Sequence, residues 1–138
     1  MVNVNATAVI IELLGNAGNP VRYTCADGAT IPKGTLLKIT NPRTAIATSA
    51  DNDPFAGIAA MEKLTGDGST TISAYTKGIF DLEQKTGVTA AVGEKCSIAG
   101  ANIISKVAAA DLLFSDVGIY LEAATAEEIV AVFVGGGN

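Results

Sequence analysis

Two cysteines, fourteen carboxylates and no histidine make up the reactive side chains of this 138-residue chain. The absence of histidine excludes Ser-His-Asp and Cys-His nucleophiles and the usual zinc ligand sets. No Gly-x-Gly-x-x-Gly run, Walker loop or Gly-x-Ser-x-Gly elbow occurs. The stretch from Gly87 to Lys95 comes nearest to a phosphate loop, but its glycines are wrongly spaced. Asp51, Asn52 and Asp53 could offer oxygens to a calcium ion, which needs six to eight of them. The glycine and terminal glutamate of an EF-hand loop are missing, however, and Pro54 makes the segment an ordinary turn. Asp111 with Asp116, and Glu127 with Glu128, read as solvated loop charges. A carboxylate pair for glycoside hydrolysis would want aromatic sugar platforms, and the chain has no Trp. Cys25 lies in phase with Val21 and Tyr23, and Cys96 in phase with Ile98, so both thiols are expected to be buried small hydrophobes. The chain is expected to be no enzyme and to need no cofactor or metal.

The remaining bulk properties narrow the partners. The net charge is -5 and the nine basic residues are scattered. No Lys/Arg patch can neutralise a run of phosphates, so nucleic-acid binding is not expected. The N-terminal apolar run, Ala8 to Ile11, is too short to span a bilayer, and no basic segment precedes it. Synthesis in the cytosol is the expectation. With 49% hydrophobic and 17% charged residues the chain should fold rather than stay disordered. Much of its apolar content is Ala and Val, with four Phe and three Tyr. A core of such small pieces gains from subunit contacts.

The elements that must carry these residues read as strands. Fifteen glycines divide the chain into short segments rich in Thr, Val and Ile. Candidate strands are Val21–Ala26, Thr35–Thr40, Thr44–Thr48, Phe55–Ala60, Thr70–Thr76, Ile79–Glu83, Lys95–Ala99, Val117–Glu122 and Glu128–Val134. Asp27-Gly28, Asn41-Pro42, the Asp51–Pro54 turn, Gly66-Asp67-Gly68 and Thr86-Gly87 separate most of them. This spacing points to a barrel or sandwich rather than βαβ units. Ala108–Phe114 is the best helical candidate. Ala8–Leu14 fits a helix or an extended segment equally well, and its periodicity does not separate the two.

An internal echo organises the strands. Gly34–Thr40 lines up with Gly93–Ala99, and Phe55–Ala60 with Asp116–Leu121. Ile72–Gly78 then lines up with Ile129–Gly135. The alignment sets Cys96 opposite Leu37, a core position. Gly34 and Gly93 would open tight turns at positive φ, while Gly57 and Gly118 suggest bulges or close backbone approaches. The expected fold is therefore all-β, one β-unit used twice.

On these residues the chain resembles a family of small decoration (cement) proteins of tailed-phage capsids. Ile31-Pro-Lys-Gly-Thr-Leu-Leu37, Phe55-Ala-Gly-Ile-Ala59 and Ile72–Phe80 carry the first half of the likeness. Val92-Gly-Glu-Lys-Cys-Ser-Ile98, Val117–Ala124 and Glu128–Val134 carry the second, so it covers about residues 20–134. The resemblance implies a compact barrel or sandwich of the β-tulip kind, trimers on the outer surface of the capsid, and binding between major capsid protein subunits. It implies no active site. Residues 1–20 form a longer lead-in than the barrel alone requires.

The expected organisation is thus an N-terminal arm over 1–20, a single β domain over 21–134 and a flexible Gly-rich tail over 135–138. Val2–Thr7 begins by alternating apolar and polar residues as an added edge strand would, and Gly15–Pro20 has the composition of a hinge. Val4, Ile10, Ile11, Leu13 and Leu14 are the expected partner-binding residues. Burying each of the last four would contribute about 1.5–3 kcal/mol. The other reading folds this segment back as one more strand of its own domain. For function, the alternative to capsid decoration is a soluble β-domain that binds a carbohydrate or receptor, with Tyr23, Tyr75 and Tyr120 as candidate contacts. No membrane or small-molecule substrate is expected as a partner.

Overall fold

A computed structural model describes residues 7–12, 20–107, 116–125 and 129–135. Among these residues the chain forms eleven strands and no helix, the all-β fold expected. The strands are β1 (Val9–Glu12), β2 (Val21–Thr24), β3 (Leu36–Asn41), β4 (Thr44–Ala47), β5 (Phe55–Ala59), β6 (Thr71–Tyr75), β7 (Gly78–Gln84), β8 (Lys95–Gly100), β9 (Ile103–Lys106), β10 (Asp116–Tyr120) and β11 (Ile129–Val134). All nine segments expected as strands contain one. Two more are found. β9 had escaped the sequence reading, and β1 settles Val9–Glu12 as extended rather than helical. The helical candidate Ala108–Phe114 lies outside the described residues.

The strands close two barrels with the same connectivity. In the first the order is β2-β4-β3-β5-β6, with β2 and β4 parallel and the other pairs antiparallel. In the second, β7-β9-β8-β10-β11 closes through a parallel β7–β9 pair, and β1 is added on β7. The registers correspond residue by residue. Thr24 faces Thr44 as Glu83 faces Ile103, and isolated bridges join Ile31 to Lys63 and Ala90 to Ala124. Arg43 and Asn102, at matching places in the β3–β4 and β8–β9 turns, both take positive φ, 50° and 56°.

One part of the sequence echo needs correcting. Ala59 faces Ala74 as Tyr120 faces Val132, so Ile72 corresponds to Val130 and not to Ile129. Burial explains the shift. Ile72, Val130, Val132 and Val134 point into their barrels, whereas Ile129 is exposed. A period of two makes a one-residue error exchange the inner face for the outer one.

Each barrel has its own interior. Leu37, Ala45, Ala56, Ala59, Ile72 and Ala74 fill the first with small side chains. Phe80, Leu82, Ile98, Ile104, Tyr120 and the three valines of β11 fill the second with larger ones. The second core also takes Leu36 and Ile58, which point out of the first barrel and are fully buried. Phe55 and Tyr75 flank them, Tyr75 meeting Phe80 with ring centroids 6.1 Å apart. Polar contacts hold the same seam. Asn102 Oδ1 accepts from the Leu36 N–H at 2.8 Å, and the Asn102 N–H donates to Thr48 Oγ1 at 3.2 Å. The Asn52 N–H donates to the Ile98 carbonyl at 3.0 Å.

Gly57 in β5 and Gly118 in β10 act as close-approach points. A Cβ on Gly118 would lie within 2.8 Å of the Phe133 carbonyl carbon and 2.9 Å of Val134 Cα. On Gly57, at φ 151°, it would lie 2.9 Å from the Tyr75 carbonyl oxygen. In both barrels the obstacle is the backbone of the last strand, which cannot swing aside as a flexible side chain would. Gly118→Ala should therefore lower the unfolding free energy by about 2 kcal/mol or more. Gly100→Ala, where a Cβ meets nothing within 4 Å, should change it by less than about 0.5 kcal/mol. Urea denaturation of the two variants checks the contrast, and equal effects would refute it.

Candidate functional site

Among the described residues, Asp53, Lys63, Asp67 and both cysteines are occupied in structural roles. Asp53 Oδ2 accepts from the Ser49 and Ala50 N–H groups at 2.8 and 2.9 Å and lies 3.3 Å from Lys38 Nζ. Partial burial raises its pKa, but these hydrogen bonds and the ammonium outweigh that and leave it lowered. The Asp51–Pro54 segment is thus a closed turn, with Asn52 at φ 63°. Among the described residues no group of three His, Cys, Asp or Glu side chains converges as a metal site. Asp111, Glu127 and Glu128 lie outside the described residues.

Cys25 and Cys96 are both free and buried, as their phase implied. Desolvation raises the pKa of each thiol, that of Cys96 to about 12. The thiolate is the reactive form, so neither should be a nucleophile near neutral pH. Tyr120 is buried beside Cys96 in the same core and donates its hydroxyl hydrogen bond to Gln84 Oε1. The Tyr23 hydroxyl donates to the Ala56 carbonyl at 2.8 Å, and Tyr75 packs on Phe80. The three tyrosines offered as sugar contacts are thus engaged inside the protein.

One polar cluster was not legible in the sequence. Lys63 is only 1% exposed. Its ammonium donates to the Asp27 carbonyl at 2.9 Å, the Leu64 carbonyl at 3.1 Å and Asp67 Oδ1 at 3.0 Å, with Asp27 Oδ1 3.5 Å away. Burial alone would lower its pKa, but the bond to Asp67 and the two carboxylate charges more than offset that, and the net shift is upward. Asp67 is held at about 2 by the Ser69 N–H, Lys63 and the Leu64 N–H. The cluster ties the β2–β3 and β5–β6 loops together at one end of the first barrel. In the second barrel Ala124 stands in the place of Lys63, bridged to Ala90, so no repeat pattern advertised it.

The surfaces left for partners are apolar patches and a sheet edge. Of the expected partner-binding residues, Ile10 lies in β1 opposite Phe80 and packs partly against the second core. Ile11 lies in the same strand. Val4, Leu13 and Leu14 lie outside the described residues. Val9, also in β1, is 58% exposed. The Ala8 N–H donates to the Gly34 carbonyl at 2.7 Å, so β1 runs along the second barrel while its start touches a turn of the first. A groove of about 280 Å³ lies there, lined by Ala8, Val9, Ile10, Lys33, Gly34, Ile58 and Ala59. Among the described residues β1 pairs only with β7, so its other edge is open to a further strand.

Such an arrangement defines a duplicated β-barrel protein. A family model described as phage cement protein matches residues 16–135, across both barrels. The chain belongs to the phage cement protein family. It is accordingly a structural component of a phage, associated with capsid proteins in the virion. No curated protein matches the chain.

Two predictions follow from the Lys63–Asp67 pair and the buried thiols. Because the pKa of Asp67 falls from 3.8 to about 2 on folding, its stabilising contribution is complete above about pH 4 and is lost as pH falls through about 2. Asp67→Asn should flatten that part of the stability-pH curve and destabilise the protein at pH 7. Denaturation midpoints across pH 2 to 7 (about one unit apart) read this directly, and an unchanged acid slope would contradict it. Both thiols should also resist an aromatic disulfide reagent in the folded protein and react promptly in urea. Rapid native labelling of Cys96 would overturn its assignment to the core.

Proposed function

We propose that this protein decorates the outer surface of a phage capsid as a homotrimer, bridging neighbouring subunits of the major capsid protein, and that it catalyses no reaction. It would be made in the host cytoplasm and join the capsid there, with no nucleic acid, membrane or small-molecule substrate as a partner. The observation that carries this reading is the family match across both barrels. Physical features support it. A cement protein must resist deformation, and two closed barrels joined through a shared core leave few free edges. The limited interior of the first barrel, filled largely by Ala and other small residues, favours further apolar burial between subunits.

The N-terminal segment supplies the proposed grip on the capsid. Val4, Ile10, Ile11, Leu13 and Leu14 are the apolar residues proposed for it, and β1 offers an open edge to which a strand of the capsid protein can add. Backbone hydrogen bonds would give that contact its affinity, and the alternating side chains its register. The alternative of a carbohydrate-binding module draws no support from the tyrosines, which are engaged within the fold.

Electron microscopy of undecorated capsids mixed with the purified protein tests this reading. Density over contacts between capsid subunits is the expected result, and bare capsids at saturating protein would refute it. Val9→Asp, on the exposed side of β1, should weaken capsid binding at least ~10-fold while changing folding stability by less than about 0.5 kcal/mol. Unchanged affinity would remove β1 from the contact.

A further inference from the structure

The two barrels are built alike, yet the contact between them uses a different surface on each. The first barrel contributes part of its outer wall, Leu36, Ile58, Phe55 and Tyr75. The second contributes one end, where Phe80 and Ile98 are fully buried and Asn102 caps the seam. A head-to-tail contact of this kind leaves one surface unused on each barrel. Among the described residues the first barrel keeps a free end, and the second keeps a free wall.

The free end of the first barrel carries the signs of a missing cover. Val21 faces Ala74 as Phe80 faces Val132, and Ile39 faces Ala45 as Ile98 faces Ile104. Both are in the inward phase, yet Val21 is 38% and Ile39 41% exposed, against 0% for Phe80 and Ile98. Arg43 stands beside them in the place of Asn102. On the free wall of the second barrel, Ile119 and Phe133 occupy the places of Ile58 and Tyr75 and are only half-buried. Lys95 and Asp116 replace Leu36 and Phe55. Asp116 Oδ1 is buried with no hydrogen-bond partner, and the nearest cation, Lys95 Nζ, lies 3.9 Å from its other oxygen. The unused surfaces are therefore complementary, with an apolar pair on each, an arginine on one and an under-satisfied carboxylate on the other.

We propose that a second copy of this chain binds there, seating the Val21–Ile39–Arg43 end of one subunit on the Ile119–Phe133–Asp116 wall of the next. The contact between chains then repeats the contact within the chain, and the Arg43 guanidinium, which in its own chain donates to the Arg22 carbonyl, is set against the Asp116 carboxylate. Two unlike surfaces make a heterologous interface, which either closes into a ring or extends as a filament. This inference rests on the trimeric reading above, and it closes three chains into a ring of six barrels.

Sedimentation of the full chain tests the ring. The wild-type protein should sediment as a trimer. Arg43→Asp and Asp116→Arg should each weaken self-association at least ~30-fold, and the double variant, with the charges exchanged, should recover it. Ile39→Asp and Ile119→Asp, each monomeric alone, should form one-to-one dimers when mixed, because one intact end then meets one intact wall. Circular dichroism identifies any variant that fails to fold, and the charge exchange decides in that case. Trimers that survive all the single substitutions place the interface elsewhere and refute the proposal, while trimeric decoration stands. A wild-type chain that sediments as a monomer refutes the ring, and capsid microscopy then judges decoration separately.

Discussion

Leu36 and Ile58 point out of the first barrel, and the second barrel is complete only because they do. Both are fully buried within the core that Phe80, Ile98 and Tyr120 form. Two fully buried aliphatic side chains contribute about 1.5–3 kcal/mol each, a large share of the margin on which a domain survives. The seam also fixes orientation. Asn102 binds the first barrel through both its side chain and its backbone, and it does so from a positive-φ position that asparagine tolerates better than most residues. Apolar burial supplies the adhesion, and these directional bonds set the angle.

Around that seam the two units have diverged where their surroundings differ. Gly34 and Gly93 open corresponding turns with nearly identical φ, 90° and 89°. A Cβ on Gly34 would lie 2.6 Å from the Ala8 carbonyl oxygen, whereas one on Gly93 meets nothing within 4 Å. The first turn therefore needs glycine for conformation and for space, the second for conformation alone. Lys63 and Ala124 diverge more sharply. The small interior of the first barrel is closed at one end by a buried ammonium with four oxygens around it. The second has enough large side chains to close the same position with alanine. A buried lysine is tolerable only when its donors are matched, since an unpaired charge there would be left without compensation for its lost hydration.

For a cement protein these features act together. Closed barrels expose few strand edges, and the described edge that remains, on β1, lies in the segment proposed to meet the capsid. The thiols are sealed away, the Asp53 carboxylate is spent on a turn, and the tyrosines are bonded or packed within the protein. The exposed apolar residues, among them Val9, Val21 and Ile39, are what remains for association with partners.

Much of this was legible in the residues. Alternation and glycine punctuation placed nine strands, and the echo between Gly34–Thr40 and Gly93–Ala99 disclosed the duplication. The phase of Cys25 and Cys96 foretold their burial, and the glycines at 57 and 118 foretold the close approaches. These properties are local, because a period of two and the lack of a Cβ act wherever the chain goes. Other decisions needed the tertiary structure. Leu36 and Leu37 are adjacent and equally apolar, and only the position of the second barrel decides which one faces away from its own. Ile72 matches Val130 rather than Ile129 because strand register, not similarity of type, selects the buried face. Val9–Glu12 became a strand because β7 had an edge to offer, and β9 was missed because Ile103-Ile104-Ser105-Lys106 does not alternate apolar with polar residues. Lys63 resembled any surface lysine until two acidic loops met around it. Sequence determined which faces each strand would have, and the packing of one barrel on the other determined what those faces would meet.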